Sequence, residues 1–295
     1  MASDGGERAA TATSDNLGES YSARSKDKSL SPKEREAALY FITAENHLHE
    51  EQADLSLQNA EEALTRFRQL GDEVGVIDTM RIIIHVYIFK DRRKEANKMV
   101  KDELQRIRDG KDSRGEGKML LSLAEVNTER RGYKNREDAK SYAMEALEIF
   151  RKEGDRKFQA YSLICLLNIN MKWRGDKSVS CQAALDAALE ARSLMKAIGD
   201  RRGEALACHG IAVSQIRAEV NGAVIRGSPG GWEAAADESV QLFREAKQHK
   251  MEAFEKVCIA QWNLGRNPRK ARRLAQEAMQ FCQEKKSRQE SAALG

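Results

Sequence analysis

Histidine is the side chain best suited to acid–base chemistry and metal binding near neutral pH, and this chain has five. His47 and His49 stand two residues apart, so a helix directs them to different faces, and no His-Glu-x-x-His sequence occurs. Cys208 and His209 are adjacent and diverge on a helix in the same way, which argues against a nucleophile–base pair. No P-loop, no dinucleotide-binding glycine pattern after a strand and no Gly-x-Ser-x-Gly sequence is present. We therefore predict a protein that is not an enzyme and that needs no metal or cofactor.

The cysteines show no pattern typical of a disulfide framework or a zinc site, because they are odd in number, scattered and without Cys-x-x-Cys. Residues 1–7 include early acids with no apolar stretch after them, and the apolar run at 82–89 is too short to cross a bilayer. These features predict a cytoplasmic protein of a reducing compartment, without a secretory signal or a membrane span, for which cytoskeletal association is a further expectation. The five cysteines are Cys165, Cys181, Cys208, Cys258 and Cys282.

A run of basic residues near the carboxyl end has no acid within it and forms a candidate basic patch. One interpretation is a surface for phosphate, an acidic peptide or an acidic protein surface such as that of tubulin. The other, which we favour, is the solvated first turn of a terminal helix, since Glu277 and Glu284 follow and no aromatic residues interleave for base stacking. The net charge of +4, from 50 basic and 46 acidic residues, also argues against nucleic acid as a partner. The patch residues are Arg266, Arg269, Lys270, Arg272 and Arg273.

Helix-like runs end four times at a glycine among polar residues, and a new amphipathic run begins at once. The glycines are Gly71, Gly110, Gly154 and Gly199, which recur about every 40 residues. Glycine just past a helix end adopts the left-handed conformation without steric cost, and an adjacent Asp can cap the next helix. Such turns make the flanking helices antiparallel neighbours. The spacing predicts an all-α fold, a right-handed α-solenoid of about six helical hairpins.

Small residues recur at equivalent positions of the predicted hairpins, so the repeats can be aligned with one another. Most of the first helices carry a small residue near their centres, such as Ala44, Ala124 and Ala212. The second helices carry small residues seven apart, which two turns bring to one face, where they allow close packing. These pairs are Ala139 with Ala146, Ala184 with Ala191, Ala271 with Ala278 and, as a near match, Ser56 with Ala63. The predicted hairpins span 32–70, 73–109, 113–153, 156–198, 201–249 and 251–286.

The ends of the repeat domain are set by changes in composition. Residues 1–30 are rich in Ser, Ala, Gly, Asp and Lys without apolar periodicity, so we predict a disordered amino-terminal tail. Order is expected from Ser31, which can cap the first helix while Glu34 completes a capping box. The repeat domain is predicted over 31–286, with a loop inserted at about 219–231, and residues 287–295 are predicted to be a flexible tail. The loop is rich in glycine and ends at Trp232; a ligand-contacting loop and a tolerated insertion are equally consistent with it.

The small residue in the first helix, the alanine pair in the second and the helix–turn–helix unit together resemble tetratricopeptide repeats. The segments that carry the resemblance best are 199–212, 146–155 and 114–124. They resemble the longer variant, of about 40 residues, found in kinesin light chains and Pins-type G-protein modulators. The chain departs from the pattern in lacking most of the usual aromatic residues and in carrying Ile84 and Leu167 where the small residue is expected.

The resemblance implies a concave groove lined by the first helices of the hairpins, which would hold a peptide. Chaperone-binding members of the family grip a carboxylate there with lysine and asparagine; only Asn168 fits, and Ile164 replaces the lysine, which argues against that role. The groove is otherwise apolar with scattered polar groups, as suits a peptide with aliphatic anchors. The alternative is that some of these side chains are simply core. The groove residues that the resemblance implies are Phe41, Arg81, His85, Leu121, Glu125, Ile164, Asn168, Met171, His209, Val213, Ile216 and Gln261.

The sequence thus predicts a non-enzymatic scaffold or adaptor that binds a protein or peptide segment, as a subunit of a larger assembly in one version of the hypothesis. A narrower form is a cytoskeletal or motor-cargo adaptor. The alternative from a different class is an RNA-binding helical-repeat protein, against which the uneven spacing and the aliphatic groove both count.

Overall fold

Helical hairpins make up most of the protein in the computed structural model, which describes residues 15–173, 175–227 and 230–294, with side chains to residue 284. A short helix, α1 (Gly18–Lys26), precedes them, and no strand occurs in these residues. The helices confirm the predicted all-α repeat fold, and their bounds agree with the predicted spans within a few residues, except that the last helix runs past residue 286. The hairpins are α2 (Pro32–His49) with α3 (Ala53–Leu70), α4 (Glu73–Phe89) with α5 (Arg93–Gly110), α6 (Ser113–Thr128) with α7 (Tyr133–Glu153), α10 (Arg201–Val220) with α11 (Trp232–Glu245), and α12 (His249–Asn263) with α13 (Pro268–Leu294). Two further helices, α8 (Arg156–Met171) and α9 (Lys177–Ile198), lie between α7 and α10 in the chain.

The turns between hairpins use the chemistry that the sequence predicts, with one shift. Gly71, Gly154 and Gly199 adopt the left-handed conformation just after a helix. At the second junction α5 includes Gly110, and Lys111 is the left-handed residue instead. An aspartate then accepts a hydrogen bond from a backbone N–H in the first turn of the next helix, which satisfies a donor that the helix itself cannot. These bonds join Asp72 to Gly75, Asp112 to Gly115, Asp155 to Phe158 and Asp200 to Gly203.

The small residues lie where helices approach each other. Every alanine of the predicted pairs is at most 3% exposed, and Ser56 is fully buried, with its hydroxyl donating to the Ala44 carbonyl oxygen. Gly75 lies closer still, because a Cβ added there would stand 2.5 Å from the ring of Phe67. The capping box at Ser31 and Glu34 is present as predicted.

The chain divides into two compact units, the first ending at Ile169 and the second beginning at Asn170. In the first unit, aromatic and aliphatic side chains of α1 to α4 form one core, which includes Tyr21, Phe41 and Phe67. In the second unit, the buried side chains include Met195, Phe243 and Ile259. None of the described helices combines the length and the apolar character that crossing a membrane requires.

The two ends differ from the tails that the sequence predicts. Residues 1–14 lie outside the described part, but residues 15–30 contain α1, whose Tyr21 is buried. At the other end α13 continues to Leu294, because residues 287–294 are mostly helix formers with no proline or glycine. The segment between α10 and α11 covers 221–231, where the sequence predicts an inserted loop, and 228 and 229 lie outside the described residues.

Candidate functional site

Residues 15–26, which we call the amino-terminal segment, lie against α2, α3 and α4 in the first unit. Their polar and aromatic contacts with these helices form a candidate site. Tyr21 of the segment stacks on Phe41, with ring centroids 3.8 Å apart, and meets the edge of Phe67 at 5.9 Å. Its hydroxyl donates to Asp78 Oδ2 at 2.9 Å. Burial and the neighbouring Asp78 carboxylate raise the pKa of Tyr21, so the hydroxyl stays protonated and acts as a donor.

Asp15 of the same segment forms a two-pronged ion pair with Arg81 of α4. Arg81 Nε donates to Asp15 Oδ2 at 2.6 Å, and Nη2 donates to Oδ1 at 2.7 Å. The remaining donors of the guanidinium reach the Lys118 carbonyl oxygen at 3.1 Å, Ser122 Oγ at 2.7 Å and Glu125 Oε1 at 3.1 Å. All five N–H directions of this arginine, which is 1% exposed, therefore have acceptors. Asp15 supplies two of them.

A second layer of charges supports this pair. Glu125 accepts from Arg81 and also lies 3.1 Å from His85 Nε2, while Lys118 pairs with Asp78. Burial, the largest single effect, opposes ionisation of Asp15 and Glu125, but the charge of Arg81, hydrogen bonds from Arg81 to Asp15 and from His85 to Glu125, and further neighbouring groups together hold the pKa of both carboxyl groups below their usual values. The ring of Phe158 lies 4.7 Å from Lys118 Nζ, which adds a cation–π contact beneath the network.

Backbone and edge contacts complete the docking of the segment. The N–H of Leu17 donates to Glu45 Oε1 at 3.0 Å, and Lys157 Nζ donates to the Asn16 carbonyl oxygen at 2.6 Å. Arg24 pairs with Asp72, whose other oxygen caps α4. The segment therefore contacts α2, α3, α4 and α8 through its backbone and its side chains.

The structure brings four of the predicted groove residues of the first unit to this site. Phe41 and Arg81 contact the segment directly, and His85 and Glu125 join the charge network behind it. Leu121 is fully buried and Ile164 is 8% exposed, so these two belong to the core, which is the alternative that the sequence left open. Asn168 is half-buried.

The predicted groove residues of the second unit are divided between core and surface. Met171 and Ile216 are buried, whereas Val213 is half-buried and Gln261 is exposed. His209 is the one with an ionic partner, because its Nδ1 lies 2.6 Å from Glu255 Oε2. Its ring also lies 6.1 Å from the ring of Trp262.

The His209–Glu255 pair has a third neighbour in Cys258, and potential ligand atoms of the three residues lie within 4.8 Å of one another. Burial raises the pKa of the Cys258 thiol. Burial also opposes protonation of His209, but the charge of Glu255 and its hydrogen bond raise the pKa of His209 overall. The arrangement is thus a hydrogen-bonded imidazole–carboxylate pair beside a buried thiol.

The basic patch is largely neutralised by local acids. Arg266 pairs with Glu219 and lies over the ring of Trp232. Lys270 lies 3.5 Å from Asp237, and Arg273 lies 3.9 Å from Glu277. Arg269 and Arg272 are exposed. Three of the five patch residues therefore have an acidic neighbour.

Sequence reasoning missed the partners that these sites use. The predicted disordered tail includes Asp15, Tyr21 and Arg24. The sequence feature that indicates order in this stretch is Tyr21, an aromatic residue among mostly polar ones. Glu255 was missed because its partner His209 stands on another helix, α10. Neither contact follows from helix periodicity.

The fold and these contacts define the class as all-α proteins built from repeated helical hairpins. No protein-family model matches the chain, and no curated protein does. Among solved structures it is similar to the crystal structure of the apo form of RapI, with a TM-score of 0.57 over 92% of this chain and 90% of that chain. The two sequences are 14% identical, so the likeness shows the fold alone.

Proposed function

We propose that this chain is a non-enzymatic scaffold that binds a segment of another protein on the surface formed by the first helices of its hairpins. One observation carries the proposal: the chain's own residues 15–26 lie on that surface in the first unit, with Asp15 on Arg81 and Tyr21 on Phe41. The surface thus offers a guanidinium, aromatic rings and a backbone-binding carboxylate, which are groups that recognise polypeptides.

An exposed stripe in the second unit supports the same proposal. Val257 and Leu264 are 39% and 67% exposed, and Gln261 is exposed between them. Positions four and three residues apart lie on one side of a helix, so α12 and its end present two aliphatic side chains around an amide. Such a stripe suits the aliphatic anchors of a helical or extended segment.

The finer assignment rests on the sequence resemblance. A tetratricopeptide-type adaptor that acts as a subunit of a larger assembly agrees with the near-balanced charge of the chain. It also agrees with the pairing of most of the basic patch by acidic neighbours.

The experiment is site-specific photocrosslinking of the full chain in its own cells. A photoreactive phenylalanine analogue replaces Asn168 or Gln261 on first helices and, as matched controls, the exposed residues Leu55 or Val179 on second helices. We expect a discrete protein adduct from the first pair that the second pair does not give. Equal adducts from both pairs would contradict the proposal, and adducts to RNA at Asn168 and Gln261 would support the RNA-binding alternative.

A further inference from the structure

We propose that the amino-terminal segment is a tethered occupant of the binding surface, and that the partner displaces it by presenting the same two groups, a carboxylate for Arg81 and an aromatic ring for Phe41. This inference rests on the proposed function and names the chemistry of the partner and a regulation of that site. In the structure the segment supplies both groups, six residues apart, from Asp15 and Tyr21.

Tyr21 packs in the core of the first unit, but the rest of helix α1 has the properties of a bound ligand. Helix α1 has nine residues, and Tyr21 is its one buried residue, whereas α2 buries six. A helix of this length is marginal in water, so α1 is ordered by its contacts with the surface and not by its own hydrogen bonds. Its first residues also lack a side-chain cap. Detaching the segment would thus unfold α1 and break the contacts of residues 15–26 described above.

The surface requires an occupant of defined chemistry. Removing Asp15 leaves two N–H groups of Arg81 without acceptors in a site where the arginine is 1% exposed. A buried N–H donor without an acceptor destabilises the protein, and a carboxylate can accept two hydrogen bonds from the planar guanidinium at once. Phe41, which is 1% exposed, likewise depends on the Tyr21 ring for cover. A partner that replaces the segment must therefore bring both an acid and an aromatic ring.

The covalent connection to α2 favours the segment over a partner in competition for the same surface. Residues 27–31 connect α1 to α2, and so short a connection holds the segment at an effective concentration on the order of millimolar. A partner segment with the same contacts binds only weakly while the chain's own segment is intact, and much more tightly once it is loosened.

The experiment measures binding of a fluorescent, acetylated peptide with the sequence of residues 15–28 to the full chain. The receptor is either the wild type or the double variant Asp15→Asn, Tyr21→Ala, with Glu19→Gln as the matched control, because Glu19 is an exposed acid on the same helix. We expect the double variant to bind the peptide at least about tenfold more tightly than the wild type and the control do. Peptides carrying Asp15→Asn or Tyr21→Ala should bind the double variant about tenfold more weakly, whereas the Glu19→Gln peptide should bind it unchanged.

Failure of the peptide to bind a double variant that retains its helical circular dichroism would overturn the inference. Hydrogen exchange on the wild type covers the case in which the double variant does not fold. We expect the amides of 18–26 to exchange at least about tenfold faster than those of α2 and α4, because a docked segment can detach while α2 and α4 stay folded. Equal protection of the segment and of α2 would show that it is an integral part of the core and would contradict the inference.

These results separate the inference from the proposed function. If the peptide exchanges with the segment but photocrosslinking at Asn168 and Gln261 recovers no protein, the segment is a tethered occupant and the scaffold proposal fails. If crosslinking recovers a partner but the peptide does not bind the double variant, the scaffold proposal stands and the tethered occupant is excluded.

Discussion

Arg81 is the residue on which the account of the first unit depends, because a buried cation is tolerated only when acceptors surround it. Asp15 and Glu125 provide the charges, and the Lys118 carbonyl oxygen and Ser122 hydroxyl complete the set. Two of the five bonds come from Asp15, so the loss of its carboxylate would leave two N–H groups of Arg81 without acceptors.

The first prediction concerns Asp15→Asn. We expect it to lower the free energy of unfolding by about 1–3 kcal/mol, the range for leaving buried donors with poorer acceptors. Because the folded pKa of Asp15 lies below 3.8, its contribution is present above that pH and is lost as pH falls through the lowered pKa. Urea unfolding from pH 8 to 3 should show a constant difference between wild type and variant down to about pH 5 and a shrinking one below it. A difference that grows on acidification would contradict the ion pair, and Glu19→Gln serves as the control.

The second prediction concerns His209 in the second unit. Its folded pKa is raised above 6.5, so the stability that its pairing with Glu255 contributes is full below pH 6.5 and is lost as pH rises through the raised pKa. The stability difference between wild type and His209→Gln should therefore be larger at pH 6 than at pH 9, as measured by urea unfolding. His249→Gln is the control, because that side chain on α12 is 59% exposed and lies 3.7 Å from Glu252, beyond hydrogen-bond distance. A difference that is larger at pH 9 would mean that His209 is neutral in the folded protein.

At the scale of elements, close packing of hairpins depends on small residues and on turn glycines with different roles. Gly75 lies against the ring of Phe67, which is fully buried and holds the edge of Tyr21. Gly110 ends α5 with nothing within 4 Å of an added Cβ. Both glycines lie within helices, but their surroundings are opposite.

The third prediction compares alanine at these two positions. Gly75→Ala should destabilise the protein by about 1–3 kcal/mol, because Phe67 cannot move without disturbing its neighbours. Gly110→Ala should be neutral or stabilise by up to about 1 kcal/mol, because alanine favours the helical conformation that this residue already adopts. Thermal unfolding of the two single variants decides the matter. Equal melting temperatures would contradict the close approach of α3 and α4.

The hairpins could be predicted from the sequence because their signals are local. A glycine with an aspartate beside it, and small residues seven apart, specify turns and packing faces without reference to distant parts of the chain. The one shifted junction, where Lys111 takes the left-handed conformation in place of Gly110, lies within a single residue of the prediction. The continuation of α13 past residue 286 was missed because its composition is both polar and helix-forming.

The contacts of the candidate site could be predicted only in part. The resemblance selected Arg81, His85 and Glu125, which form one network, and Phe41, which contacts the same segment through Tyr21. It also selected Leu121, which is buried. Docking of residues 15–26 joins Asp15 to Arg81 across 66 positions, and no period in the sequence encodes such a pairing. A segment of nine helical residues with one buried side chain carries too little apolar pattern to be separated from a tail.

At the scale of the whole molecule, we propose that the first helices of the repeats form surfaces that receive polypeptide segments. In the first unit the chain itself supplies an occupant, and in the second unit the α12 stripe presents Val257 and Leu264 to solvent. Repeat proteins typically use such surfaces for binding, because stacked hairpins present one helix of each repeat to the same side.

The measurement that tests the central claim most directly is hydrogen exchange on the full chain, with and without the protein recovered by crosslinking at Asn168 or Gln261. We expect slower exchange in the first helices, in α4 or α12, and, where α4 is protected, faster exchange in residues 18–26. Protection confined to second helices such as α3 and α9, with residues 18–26 unchanged, would contradict it.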